Sequence, residues 1–157
     1  MNNILHYLSE PYAIYSVTVP WLFVIYWFCT EARRNPPQEE LIWHWMVMVL
    51  ATHTLAWWVI DDDYISLHMI DAFFLYLIFY LYYGLKITPG AAYTLVFLTE
   101  WGVDMTKALE LIPLGLASPS TYYFGVGGAG YMDGLCIFPI IAAALVHYVA
   151  WRRKKGP

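Results

Sequence analysis

Six ionisable residues sit in otherwise apolar stretches of this chain: His53, the pair His68 and Asp71, and the series Glu100, Asp104 and Lys107. On helices, the i, i+3 spacing of His68 and Asp71 puts both on one face, and so does the i, i+4, i+7 spacing of Glu100, Asp104 and Lys107. At about 1.5 Å of rise per residue, His53 and Asp71 fall roughly 10 Å from the ends of their segments. Glu100 and Asp104 fall about 12 to 18 Å from the end of theirs, so the depths overlap. The pattern predicts one internal polar site shared by three helices, with Lys107 and the Asp61–Asp63 cluster nearer its mouth.

Two chemistries suit that set. Carboxyls crowded in a low dielectric cannot all ionise and an imidazole titrates near neutrality, so the group could bind a cation or pass protons. Alternatively, His53, His68, Asp71, Glu100 and Asp104 are a donor set of the type that binds a divalent metal. No His-Glu-x-x-His or Cys-x-x-Cys motif accompanies them, and no organic cofactor is evident. The bland alternative is structural: Asp104 bridged to Lys107, Asp71 to His68, and Glu100 hydrogen-bonded to a Thr or Tyr, as interhelical glue.

Other motifs say less. Gly125 to Gly130 matches G-x-G-x-x-G but follows no strand, and Asp133 just beyond it would repel phosphate. Ser66 is the serine nearest to a histidine. On a helix it would face away from His68, so no nucleophile dyad is expected, and the chain reads as a non-enzyme more readily than as an enzyme. His53 and His68 differ in depth by a turn or so, which disfavours haem.

The elements that must position these residues are read as five apolar spans, about 12–30, 41–60, 64–85, 89–112 and 131–151. Pro20 predicts a kink in the first. Thr88-Pro89 predicts an N-cap followed by proline in the first turn of the fourth. The expected fold is thus a single all-α integral membrane domain, a bundle of about five transmembrane helices. Composition agrees: 61% of the 157 residues are hydrophobic, 13% are charged and 19% are aromatic. The first ten residues lack the basic region and cleavage site of a secretory signal, so the first span is expected to be retained.

Seven of the eight basic residues (Arg33, Arg34, Lys86, Arg152, Arg153, Lys154 and Lys155) fall on one side of such a bundle. They predict a cytoplasmic C-terminus, an outside N-terminus and contact with lipid headgroups in a bacterial-type plasma (inner) membrane. The net charge of −4, with its few basic residues grouped at helix ends, excludes a nucleic-acid surface. The same topology keeps Cys29 and Cys136 at opposite ends, too far apart for a disulfide.

Three functions follow as expectations. The first is proton or cation binding and translocation at the internal site. The second is an interaction role: a homo-oligomer, an accessory subunit of a larger membrane complex, or a lysis, immunity or exclusion protein using the outer loop 113–130. The third is a metal-dependent membrane enzyme.

Overall fold

The computed structural model describes residues 10–60, 65–82, 87–117 and 134–155. Helix α1 covers residues 11–30 as three consecutive segments, Pro11–Ala13, Ile14–Thr18 and Val19–Thr30. It is followed by α2 (Glu39–Thr54), β1 (Ala56–Ile60), β2 (Ile65–Met69), α3 (Ala72–Tyr82), α4 (Pro89–Leu109) and α5 (Gly134–Lys155). Proline and capping chemistry explain several of these boundaries. Pro20 has no N–H to donate, and just before it Ile14–Thr18 forms a π-helical turn in which the Val19 N–H reaches back to the Ile14 carbonyl. The expected kink is therefore an extra residue absorbed within α1. Thr88 caps α4 as expected, accepting from Ala91 N at 3.2 Å, with Pro89 in the first turn.

The five-span bundle is not what forms. Among the described residues one helix, α5, is long and apolar enough to cross a membrane. The expected second span, 41–60, and third span, 64–85, each give their facing ends to an antiparallel hairpin. In it Trp57 lies opposite His68 and Val59 opposite Ser66. Two short runs of aromatic and branched residues, Ala56-Trp57-Trp58-Val59-Ile60 and Ile65-Ser66-Leu67-His68-Met69, favour a pleated ladder over continued helix. The helices left behind are too short: α2 has 16 residues and α3 has 11, about 24 Å and 17 Å against a hydrocarbon core of roughly 30 Å. In α4, which has 21 residues, Glu100, Asp104 and Lys107 interrupt the apolar run.

The helices pack in two apolar clusters. One joins α2, α3, α4 and α5 through Leu41, Phe73, Leu77, Leu95, Val96, Ala142 and Val146. The other joins α1, α4 and α5 through Val17, Val24, Phe97, Ala108 and Leu135. Ala92, Leu95 and Val96 of α4 share a cluster with Ala142 and Val146 from the middle of α5, while Glu100 lies beside Gly134 at its start, so this pair runs antiparallel. Aromatics do much of the packing. Trp21 of α1 meets Phe97 and Trp101 of α4 edge-on, with ring centroids 5.7 Å and 4.9 Å apart. Trp45 of α2 donates to both the Leu95 carbonyl (3.1 Å) and Thr99 Oγ1 (2.8 Å) of α4. At the far end of α3, Arg153 of α5 donates to the Leu81 carbonyl at 2.7 Å. That bond satisfies a carbonyl in the last turn of α3, which lacks an intrahelical partner.

Candidate functional site: a buried carboxyl pair

The sequence Asp71-Ala72-Phe73-Phe74 starts a helix by a simple rule, a short acceptor side chain just before an apolar run. Asp71 Oδ1 accepts from Phe74 N at 2.9 Å, and the Phe73 N–H also bonds this carboxyl. A second side chain completes the cap from another helix. Thr52, fully buried near the end of α2, accepts from Ala72 N at 3.0 Å through Oγ1 and donates to the Met48 carbonyl at 2.9 Å. Two helices are thereby locked at the start of α3.

Asp71 also lies close enough to the side chain of Glu100, midway along α4, for the two carboxyls to influence each other. Both are buried, with relative exposures of 8% and 2%. Glu100 lies beside the start of α5 as well: a Cβ added to Gly134 would come within 3.5 Å of Glu100 Oε2. Phe138, one turn into α5, packs against Phe74 with ring centroids 5.4 Å apart and helps cover this corner. The pair thus sits where α2, α3, α4 and α5 meet, near the N-termini of α3 and α5.

Opposing influences act on Asp71, which lies in the turn between β2 and α3. Burial, the strongest, pushes its carboxyl up to about 6; the Phe74 and Phe73 N–H groups and the neighbouring Glu100 side chain pull the other way. Two carboxyls buried side by side are costly to ionise together, so the arrangement favours keeping a proton on one of them.

The other expected site residues do not gather here. His68 lies on the exposed hairpin, stacked on Trp57 with centroids 5.9 Å apart, and its Nε2 is 3.1 Å from Ser66 Oγ. It is not on a helical face with Asp71. The strand's two-residue period puts Ser66 and His68 on the same face, the reverse of the helical expectation. His53 is half-buried next to Thr52, and consecutive helical side chains diverge by about 100°. Asp104 is half-buried further along α4, while Lys107 pairs with Glu110 at 3.0 Å.

Among the described residues no three His, Cys, Asp or Glu come together as a metal-binding group. Lys86, Asp61–Asp63 and the loop from 118 to 130 lie outside the described residues. No family model, curated protein or solved structure is significantly similar to this chain. Function must be argued from the site.

Thr52 and Gly134 were not singled out from sequence. A threonine beside a histidine in a helix carries no pattern that identifies it as the cap of another helix. The Asp71 cap was missed as well, because the expected span runs as continuous helix from about residue 64, with Asp71 on a helical face beside His68.

Proposed function

We propose that this chain is embedded in a lipid bilayer through α5 and that Asp71 and Glu100, on elements outside that span, take up and release a proton. The observation that carries the reading is the close burial of the two carboxyls at one corner of the helices. Such a pair gains and loses one proton with little rearrangement, and the N–H groups of Phe73 and Phe74 stay in place to receive the charge. The membrane location is supported by α5 and by apolar residues facing outward on α1, α2 and α3, among them Leu22 (62% exposed), Leu50 (70%) and Phe79 (61%). Monomeric proteins in water rarely leave continuous apolar surfaces of this kind.

The experiment is proton flux into proteoliposomes loaded with a pH-sensitive dye. Glu100→Gln and Asp71→Asn each keep the size of the side chain and remove its titration, and both are expected to abolish flux while preserving helical content. Wild-type flux from both variants would sink the proton reading. Release of the protein from membranes by alkaline carbonate would sink the location.

A further inference from the structure

A groove of about 590 Å³ opens between the end of α1, the following linker, α2 and α4. Its wall is almost wholly apolar, with Trp27, Phe28, Pro37, Trp45 and Leu98 among the lining residues. The size suits a small amphiphile, since ligand pockets run from about 300 to 1,000 Å³. One charged residue, Arg33, belongs to the lining.

Arg33 is exposed, and among the described residues it has no ion pair. The neighbouring acid, Glu31, is directed elsewhere, its Oε2 lying against Gly90 of α4. Glu39 and Glu40, which open α2, are not part of the lining. Arg34 adds a second exposed cation next in sequence. An apolar trough with an unneutralised guanidinium at its edge matches a ligand with a hydrocarbon body and an anionic head.

We infer that this groove seats one acyl chain of an anionic phospholipid, with the headgroup phosphate held by Arg33. The inference rests on the bilayer location and is independent of the carboxyl pair. Cys29 lines the same groove and is exposed, so it reports on occupancy.

The test uses the full chain with Cys136→Ala, reconstituted in nanodiscs of phosphatidylcholine alone or with phosphatidylglycerol. Maleimide labelling of Cys29 is expected to slow several-fold when phosphatidylglycerol is present. Arg33→Gln should remove the difference between the two lipids, and Ala32→Phe, which fills the groove from its rim, should remove it too. Equal labelling rates in both lipids, or the same slowing in Arg33→Gln, overturns the proposal. Failure of the protein to enter discs of either composition overturns the location and the groove proposal together.

Discussion

Asp71 opens α3 and Glu100 sits midway along α4, yet their buried carboxyls lie close enough to influence each other. The contact is possible because Thr52 of α2 and the backbone of Phe73 and Phe74 fix the start of α3 against α4. A capping residue has thereby become half of a titratable pair. The local role of Asp71 is to satisfy N–H groups, and the tertiary fold sets its carboxyl beside that of Glu100.

The first prediction concerns pH. Burial raises the Asp71 carboxyl from 3.8 to about 6, so the folded state holds this proton more tightly than the unfolded chain does. For this group, stability is greatest below about pH 3.8, falls as pH rises towards about 6, and is level above that. The loss amounts to at most about 3 kcal/mol. Asp71→Asn retains an acceptor for the Phe74 N–H and should flatten this part of the profile. Thermal unfolding of both proteins across the range checks it, and an unchanged slope in the variant would contradict the argument.

Thr52→Val removes the acceptor for Ala72 N and leaves that half-buried donor without it. The expected cost is about 1–2 kcal/mol, while Thr52→Ser should keep most of the stability. Denaturant titration of the two variants separates the hydroxyl from the side-chain volume. Equal losses in both would show that the cap contributes little.

Two glycines of the same helix should respond in opposite directions. A Cβ at Gly90 would lie 2.6 Å from Trp27 Cδ1, inside a packed contact between α1 and α4. Gly90→Ala should therefore destabilise by about 1–3 kcal/mol. At Gly102 a Cβ meets nothing within 4 Å, so Gly102→Ala should stabilise by about 0.5–1 kcal/mol through helix propensity. Shifts of the same sign in the two unfolding midpoints would show that the close approach of α1 and α4 is misplaced.

Much of the helical organisation was legible in the chain, because caps and breakers act within a few residues. Thr88-Pro89 starts α4 as expected, whereas the start of α3 at Ala72 was hidden inside the expected span 64–85. The excess of apolar and aromatic residues likewise anticipated helices with large apolar outer faces. Reading 41–60 and 64–85 as spans failed for a definite reason. Hydropathy over such windows does not distinguish a continuous helix from a shorter helix continued by a strand. The hairpin depends on Ala56–Ile60 finding Ile65–Met69 as a partner.

By itself, then, the sequence determined the start of α4 at Thr88-Pro89 and the strongly apolar character of the helices, since a cap and composition act locally. Only the tertiary structure decided that His68 leaves the site on a strand and that Asp71, Thr52 and Glu100 converge at one corner. Those outcomes depend on packing between elements distant in the chain, and no residue type or spacing encodes them alone.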